Sequence, residues 1–217
     1  MKVISSKAEI LTDISPDGLE ELQLIEKAGR TAYKSEDNMT EDGASAKRFV
    51  HMLIKLGHES VLEHSILTVR FICDRGVSHE IVRHRMASFT QESTRYCNYA
   101  KEHFGNELIF VEPSSIGIDT IEYMRWMQAC EEAERKYIEM IMAGCKAEQA
   151  RAVLPNSIKT EVVMTANYRE WRHFFELRCA KAAHPDMRKL ALELLSDVQL
   201  AIPIVFDDIY EKYKEEL

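Results

Sequence analysis

Residues 66–73 read Ile66-Leu67-Thr68-Val69-Arg70-Phe71-Ile72-Cys73. This run is rich in β-branched and aromatic residues, which favours a β-strand. Gly76 permits a turn after the strand, and a helix is predicted over Val77–Arg85. Glu80, Arg83 and His84 are three and four residues apart in that helix, so we expect them to share one face. The sequence therefore predicts a strand that leads into a helix with ionisable side chains on one side.

Apolar periodicity, prolines and glycines predict further elements on both sides of this strand and helix. Helices are predicted over Pro16–Tyr33, Ala44–Leu56, Thr120–Ala143, Ala147–Val153, Glu170–Ala180 and Asp186–Tyr213. Pro203 is a candidate position for a break in the last of them. Strands are predicted over Lys2–Leu11 and Lys159–Ala166.

The balance of these elements indicates the fold class. Because helices dominate and strands are few and scattered, we expect an α+β fold rather than a regular βαβ alternation. Its sheet is expected to be small, mainly antiparallel and packed by several helices. No repeat, low-complexity tract or linker divides the sequence, so residues 1–217 are expected to form a single domain.

Composition narrows the function classes. The chain has 217 residues, a formal charge of −8 and 46% hydrophobic residues, enough for a substantial core. Its acidity argues against nucleic-acid binding through a broad basic face. Neither a basic apolar leader nor a run of about 18 apolar residues is present, so no membrane association is expected. We expect a cytoplasmic protein with reduced, widely spaced cysteines: Cys73, Cys97, Cys130, Cys145 and Cys179.

The segment from Arg83 to Tyr96 is strongly basic within this acidic chain. It combines three arginines and a histidine with hydroxyl and amide side chains, a donor set that suits a phosphate-bearing ligand. A purely structural interpretation assigns the arginines and His84 to the last turn of a helix, where each cation contributes about 0.3 to 1 kcal/mol. A helix end needs neither Ser93 nor Arg95, so the segment favours anion binding.

A second candidate is the segment from Gly57 to His64, which contains two histidines and two glutamates. Zinc hydrolases place their ligands as His-Glu-x-x-His or His-x-x-Glu-His, and neither spacing occurs here. The segment is therefore interpreted either as a turn after a helix or as a polar contact to a ligand ring. No metal ligand is expected.

Two further arginines lie in apolar surroundings. Arg178 follows Phe174 by four residues and Trp171 by seven, so it should lie on an inward aromatic stripe. A buried guanidinium requires a partner, which could be Glu176, Asp186 or another carboxylate, or else a ligand group. Arg151 precedes Pro155 among small and apolar residues. So many embedded arginines suggest a nucleotide together with a second anionic cofactor.

The chain resembles the flavin-dependent thymidylate synthases, whose hallmark is Arg-His-Arg followed by seven residues and a serine. Here the hallmark is Arg83-His84-Arg85 followed by Ser93. Three more segments resemble the family in the same order, and the likeness extends over residues 50 to 200. These segments are Gly57-His58-Glu59-Ser60-Val61-Leu62-Glu63-His64, Ala150-Arg151-Ala152-Val153-Leu154-Pro155, and Thr165-Ala166-Asn167-Tyr168-Arg169 through Leu177-Arg178.

The resemblance implies an enzyme of de novo dTMP synthesis. It would convert dUMP to dTMP with 5,10-methylenetetrahydrofolate as the one-carbon donor and FAD, reduced by NADPH, as the hydride source. It also implies a homotetramer whose active sites form between subunits. In such a flavin-centred scheme the protein orients cofactor and pyrimidine, and no side-chain nucleophile is needed.

The resemblance also implies roles for individual residues. For FAD, the matching positions are His58, Ser60, Arg83, His84, Arg85, Gln91, Asn167, Tyr168, Arg169 and His173. For dUMP, they are Glu80, Ile81, Val82, Arg83, Gln91, Glu92, Ser93, Thr94, Arg95, Arg151 and Arg178. Arg178 would be catalytic, because it would stabilise negative charge on the pyrimidine and favour ionisation at N3. The chain departs from many members at Glu80, where glutamine is frequent, and at Gln91, where glutamate is frequent.

Several alternatives remain open at this point. The same arginines could serve a nucleotide sensor without turnover, and His58, Glu63 and His64 could serve a metal-dependent hydrolase. Ser93 could be considered a nucleophile, but no general base for it is evident in the sequence. A catalytic thiol at Cys97 or Cys179 is disfavoured, because free cysteines are commonly inert packing residues.

Overall fold

The structure, a computed structural model, describes residues 1–95 and 107–217. Its strands are β1 (Lys2–Ile4), β2 (Lys7–Ile10), β3 (Ile66–Asp74), β4 (Ala87–Gln91), β5 (Ile109–Val111) and β6 (Lys159–Asn167). Its helices are α1 (Leu19–Thr31), α2 (Ala44–Lys55), α3 (Arg75–Ile81), α4 (Ile121–Met142), α5 (Ala147–Ala150), α6 (Tyr168–Arg178), α7 (Pro185–Ala201) and α8 (Asp207–Tyr213). Helices thus dominate a small set of strands, which confirms the predicted α+β class.

Two long strands form the middle of a four-stranded sheet with the order β2-β3-β6-β4. The amide of Tyr168 donates to the carbonyl of Ser65 over 3.0 Å, and the amide of Arg75 donates to that of Asn156 over 2.9 Å. These bonds join the start of β3 to the end of β6 and the end of β3 to the residues before β6. The two strands are therefore antiparallel, as predicted for the main sheet.

Burial along these strands follows the period of two that places successive side chains on opposite faces. In β3 buried side chains alternate with exposed or partly exposed ones, and the buried set is Leu67, Val69, Phe71 and Cys73. In β6 the buried set is Thr160, Val162, Met164 and Ala166. The strands predicted at Ile66 and Lys159 are confirmed, each one residue longer than expected.

The predicted helix Val77–Arg85 is wrong at both ends. The Asp74 side chain accepts a hydrogen bond from the amide of Val77 over 2.7 Å, so it caps a helix that starts at Arg75. The helix stops at Ile81, and a strand that was not predicted, β4, follows at Ala87. Glu80, Arg83 and His84 consequently do not share a helix face, because pairing with β6 draws the chain away from the helical path.

The predicted strand Lys2–Leu11 is interrupted. Its first part, β1, pairs in parallel with β5, a short strand that the sequence pattern did not reveal. Its second part, β2, lies at the edge of the four-stranded sheet. One continuous run of residues therefore serves two different sheets.

The long helices agree closely with prediction. α4 differs from the predicted bounds by one residue at each end, and Gly57, with a φ of +72°, follows the end of α2. α7 ends at Ala201 and α8 starts at Asp207, which confirms a break around Pro203. Among residues 1–95 and 107–217, none of the helices combines the length and apolar character needed to cross a membrane.

Contacts between Cα atoms divide the chain into two compact units. Unit 1 comprises Met1–Lys7, Phe71–Arg83 and Phe89–Val163. Unit 2 comprises Ala8–Arg70, His84–Ser88 and Met164–Leu217. The expectation of one domain stays a prediction.

Each unit has its own apolar core. The core of unit 1 is formed by Leu108, Phe110, Cys130, Tyr137, Ala150 and Ile158. The core of unit 2 is rich in aromatic side chains that contact one another edge to face, namely Tyr168, Trp171, Phe174, Phe175 and Phe206. The Trp171 indole also donates to the carbonyl of Leu67 over 3.0 Å, so its polar atom is satisfied.

Replacing Phe175, which is fully buried, tests the importance of this aromatic core. Phe175→Ala should lower the free energy of unfolding by about 3 to 5 kcal/mol, because it removes buried area and leaves a cavity. Leu177→Ala on the same helix is the matched control, since Leu177 is 48% exposed and its loss should change stability by less than about 0.5 kcal/mol. Urea denaturation at one protein concentration measures the free energy of unfolding of both variants. Equal losses of stability in the two variants would contradict the assignment of Phe175 to the core.

Candidate active site

Helix α6 carries several of the predicted site residues. It begins directly after β6, where the Asn167 side chain accepts a hydrogen bond from the amide of Glu170 over 2.9 Å and caps the helix. Trp171, Phe174 and Phe175 on one face are fully buried. With a helical period of 3.6 residues, burial of this face fixes the directions in which the polar side chains of α6 project.

His84 belongs to unit 2, and its side chain is nearly buried, at 3% exposure. Its ring packs against that of Phe174, with 4.9 Å between centroids, and meets the ring of His173 edge on at 5.9 Å. Its Nδ1 atom is 3.3 Å from Oε1 of Glu170. Its Nε2 atom accepts a hydrogen bond from Nε of Arg178 over 3.1 Å.

These contacts determine the protonation state of His84. A guanidinium Nε–H can only donate, so Nε2 of His84 must carry a lone pair. Burial, together with the positive charge of Arg178 and the proximity of His173, lowers the pKa of His84 to about 4. The imidazole is therefore neutral near pH 7, with its proton on Nδ1 directed at the Glu170 carboxylate.

Arg178 differs from its predicted environment. It stands at the end of α6 and is partly exposed, and its hydrogen bond to His84 is made to a neutral imidazole. Arg172 is instead the buried guanidinium of α6, at 7% exposure. It donates to both carboxylate oxygens of Asp208 over 2.7 Å, and to Glu59 over 3.1 Å. Arg172 thus has two carboxylate partners, one of them bidentate.

A cavity of about 470 Å³ opens in unit 2 beside these residues. Its walls include three predicted FAD contacts, Asn167, Arg169 and His173. The remaining lining residues are Glu59, Glu63, Met86, Glu170, Arg172, Glu176 and Ile209. Arg169 is paired with Glu63 over 2.5 Å at a largely exposed position. The cavity is of a size that suits part of a small-molecule ligand.

Other predicted FAD contacts lie elsewhere in unit 2. Arg85, His58 and Ser60 are exposed; His58 directly precedes the 3-10 helix Glu59–His64, and Ser60 lies within it. Tyr168 is fully buried in the aromatic core, so only its main chain could reach a ligand. The sequence pattern did not distinguish this core position from its polar neighbours.

Three side chains lie close enough together to raise the question of a metal site. His84, Glu170 and His173 each offer a ligand atom within 4.8 Å of the others, the one such group found in residues 1–95 and 107–217. Both ring nitrogens of His84 already have hydrogen-bond partners, and the positive charge of Arg178 is 3.1 Å away. We therefore describe Glu170, His84 and Arg178 as a hydrogen-bonded series rather than a metal site. The group does not include His58, Glu63 and His64, the residues considered for a hydrolase.

In unit 1, Gln91 and Glu92 make internal contacts. The Gln91 amide donates to Oγ of Ser78 over 3.0 Å and to Oγ1 of Thr160 over 3.3 Å. The Glu92 carboxylate accepts a hydrogen bond from Lys159 over 3.0 Å. Gln91, at the end of β4, therefore turns its amide nitrogen towards the neighbouring elements, and its carbonyl oxygen is the group left for a ligand.

A second cavity, of about 540 Å³, lies in unit 1. Its walls contain two predicted dUMP contacts, Thr94 and Arg151, joined by a hydrogen bond of 3.1 Å from Nη1 of Arg151 to Oγ1 of Thr94. The other lining residues are Arg75, His79, Glu148, Ala152, Leu154, Pro155 and Asn156. Two arginines and a histidine against one glutamate make this cavity suitable for an anion. Arg75 and His79 were not predicted, although they are basic residues one helical turn apart.

The remaining predicted dUMP contacts in unit 1 have varied surroundings. Ile81 is buried in the core, so only its main chain could contact a ligand, whereas Val82 and Arg83 are exposed and Glu80 is partly buried. The hydroxyl of Ser93 accepts a hydrogen bond from the amide of Arg95 over 3.3 Å. The guanidinium of Arg95 is 3.8 Å from Glu148.

Three cysteines, Cys73, Cys130 and Cys179, are buried and lack the features of a reactive thiol. Burial raises the pKa of the Cys179 thiol to about 12 and that of Cys130 to about 11. Burial also raises the pKa of Cys73. Thiolate nucleophiles need a lowered pKa, so Cys179 is a packing residue. Cys97 and Tyr96 lie outside the described residues.

Comparison with known proteins gives consistent matches. The family model described as thymidylate synthase complementing protein matches residues 17–204. The flavin-dependent thymidylate synthase of Corynebacterium aurimucosum is 35% identical over 203 residues, which cover 86% of this chain and 79% of that protein. The enzyme of the same description from Pyrococcus furiosus is 35% identical over 176 residues, covering 81% and 70%.

Among solved structures, the chain is similar to a UMP/dUMP methylase, PolB from Streptomyces cacaoi, bound with 5-Br dUMP. The TM-score is 0.76 at 21% identity, and the match covers 98% of this chain and 97% of that one. At this level of identity the likeness establishes a shared fold.

The neutral state of His84 predicts a pH dependence of stability. Because its pKa is about 4 in the folded protein and about 6.5 in unfolded chains, the unfolded chain binds more protons between these values. The contribution of neutral His84 to the free energy of unfolding is fully present above pH 6.5. It should fall by about 3 kcal/mol as the pH drops to 4. Urea denaturation should therefore show the stability gap between wild type and His84→Gln narrowing by that amount. A gap that does not change with pH would contradict the assignment.

Proposed function

This chain belongs to the flavin-dependent thymidylate synthase family, and we propose that the residues around His84 and Arg178 serve that family's reaction. The enzyme makes dTMP from dUMP by reductive methylation. 5,10-Methylenetetrahydrofolate provides the one-carbon unit and leaves as tetrahydrofolate, and NADPH provides the reducing equivalents. FAD supplies hydride chemistry when it is bound.

The observation that carries the proposal is the hydrogen bond from Nε of Arg178 to the neutral His84. This bond fixes one edge of the guanidinium plane at a partly exposed position. A guanidinium held in this way can stabilise negative charge that develops on the pyrimidine and favour ionisation at N3. Positioned cations of this kind are effective because they need no reorganisation during the reaction.

Residues of unit 2 are suited to hold FAD. Asn167, Arg169 and His173 converge on the 470 Å³ cavity, and the Arg169 cation can pair with a phosphate group of the cofactor. Arg85, His58 and Ser60 are exposed and can add donors from adjoining segments of unit 2. His84 would act mainly through Arg178, because its two nitrogens already make hydrogen bonds. Four glutamates also line this cavity, so the cavity suits the polar uncharged part of FAD, and the phosphate groups are left to the arginines at its edge.

Residues of unit 1 are suited to hold the anionic end of dUMP. Arg151, with Thr94 as its hydrogen-bond partner, faces a cavity that also contains Arg75 and His79. Arginine can bind two phosphate oxygens at once through its parallel N–H groups. Ser93 and Arg95 would complete the site from the same loop, and Glu80, Ile81, Val82 and Glu92 would contribute main-chain or polar contacts.

The proposal is tested by product formation. Protein reconstituted with FAD should form dTMP only when dUMP, methylenetetrahydrofolate and NADPH are all present, as measured by chromatography of the nucleotides. Tight dUMP binding without product or flavin oxidation would instead support a nucleotide sensor.

Replacing Arg178 separates catalysis from cofactor binding. Arg178→Ala should lower kcat by about 100- to 1,000-fold, as expected when one positioned charge-stabilising group is removed. The bound FAD per subunit should remain unchanged, since the proposed target of Arg178 is the pyrimidine. Arg135→Ala is the control, because Arg135 is an exposed residue of α4 paired with Glu132 and Glu139. Near-normal turnover of Arg178→Ala would reassign Arg178 to a structural role.

The homotetramer and the cytoplasmic location are also proposed from family membership. Association is supported by large apolar side chains that are mostly exposed in the isolated chain, namely Met86, Ile118, Met142 and Leu200. Contacts between subunits can cover such surface and bring residues of different subunits to one site.

Light scattering during size-exclusion chromatography tests the assembly. A tetramer of this 25.1 kDa chain should elute with a mass of about 100 kDa. Met142→Glu should weaken the assembly if Met142 is covered in it, because burying an unpaired carboxylate is unfavourable. A wild-type mass of 25 kDa at micromolar concentration would contradict the tetramer.

A further inference from the structure

We propose that Glu170 is a positioning residue that acts through His84 on Arg178. Its carboxylate holds the proton of His84 on Nδ1, which leaves Nε2 free to accept the Nε–H of Arg178. The inference rests on the proposed role of Arg178 for its effect on turnover. The effect of Glu170 on the tautomer of His84 concerns only this chain and can be tested without cofactor or substrate.

Glu170 is well placed for this role. Its main-chain amide is bound by the capping side chain of Asn167, which fixes the first turn of α6. Its side chain is 11% exposed, and that of His84 is 2% exposed. At such burial, water competes weakly for the Nδ1–H group of His84. This group therefore depends on the Glu170 carboxylate for its hydrogen bond.

The directions of the two hydrogen bonds require His84 to carry its proton on Nδ1. A neutral imidazole has one donor and one acceptor nitrogen, and the two tautomers exchange these roles. If the proton moved to Nε2, two donors would face each other across the 3.1 Å between His84 and Arg178. A carboxylate, which only accepts, stabilises the tautomer that keeps the Arg178 contact. Glu170 and Arg178 are thus coupled through one imidazole ring.

The first test is the tautomer of His84 in the protein without ligands. Nitrogen-15 NMR of histidine-labelled protein distinguishes the two neutral tautomers, and the His84→Gln spectrum assigns the signals. We expect Nδ1–H in the wild type and in Glu170→Gln, whose amide oxygen can also accept. We expect Nε2–H, or a mixture, in Glu170→Ala. The same Nδ1–H signals in Glu170→Ala would overturn the proposal.

The second test is kinetic. Glu170→Ala should lower kcat by about 10- to 100-fold, the range expected when a hydrogen bond to a charged group is lost. Glu170→Gln should recover most of that loss, and Glu211→Ala, an exposed glutamate on α8, should not change kcat. A loss as large in Glu170→Gln as in Glu170→Ala would contradict a role through the tautomer.

A double-mutant cycle distinguishes positioning from a separate contribution. In an Arg178→Ala background, Glu170→Ala should cause no further loss of kcat, because its effect passes through the missing guanidinium. Additive losses would overturn the proposal. Absence of dTMP formation by the wild type would refute the proposed function while the NMR result still decides the role of Glu170. Stoichiometric Zn²⁺ binding that requires Glu170 and His173 would replace the proposal with a metal site.

Discussion

The arrangement of the site depends on the burial of one face of α6. Trp171, Phe174 and Phe175 are fully buried, and together they remove a large apolar area from water. Because a helix is rigid, fixing this face also fixes the opposite and lateral faces. Glu170, three residues after the capping Asn167, is thereby directed at His84, and Arg178 meets the same ring two turns later. Packing in the core thus sets the geometry of groups that have no apolar character.

The electrostatics of the site follow from the same placement. A buried imidazole between Phe174 and a guanidinium is most stable when neutral, because desolvation and the nearby cation both oppose its protonation. A neutral ring can accept the Arg178 hydrogen bond without cancelling its charge. A carboxylate at this contact would hold Arg178 more strongly but would reduce the positive potential offered to a ligand. The choice of histidine is therefore consistent with a cation that acts on a substrate.

Part of this fold and site could be predicted from the sequence. The strand at Ile66 and the helix α4 have long, regular patterns, and both appear with nearly the predicted bounds. The end of α3 and the strand β4 could not be predicted, because β4 has only five residues and its pairing with β6 involves residues far away in the sequence. Motif order identified the family, and the matched segments contain most of the polar residues described around the two cavities.

The distinction between Arg172 and Arg178 shows a limit of periodicity. Both lie near the apolar face of α6, but Arg172 is buried because Asp208 and Glu59, from other segments, neutralise it. The sequence does not reveal that Arg172 has these two partners. Glu170 was missed for the same reason, since its importance depends on the position of His84, 86 residues earlier.

The central conclusion is that this chain is a flavin-dependent thymidylate synthase, which uses FAD and acts on dUMP. The most direct measurement is the visible absorption spectrum of the FAD-reconstituted protein, after removal of free flavin, with and without dUMP. The flavin bands should remain with the protein, and they should shift when dUMP is added. A colourless protein after reconstitution, or a flavin spectrum that saturating dUMP leaves unchanged, would contradict it.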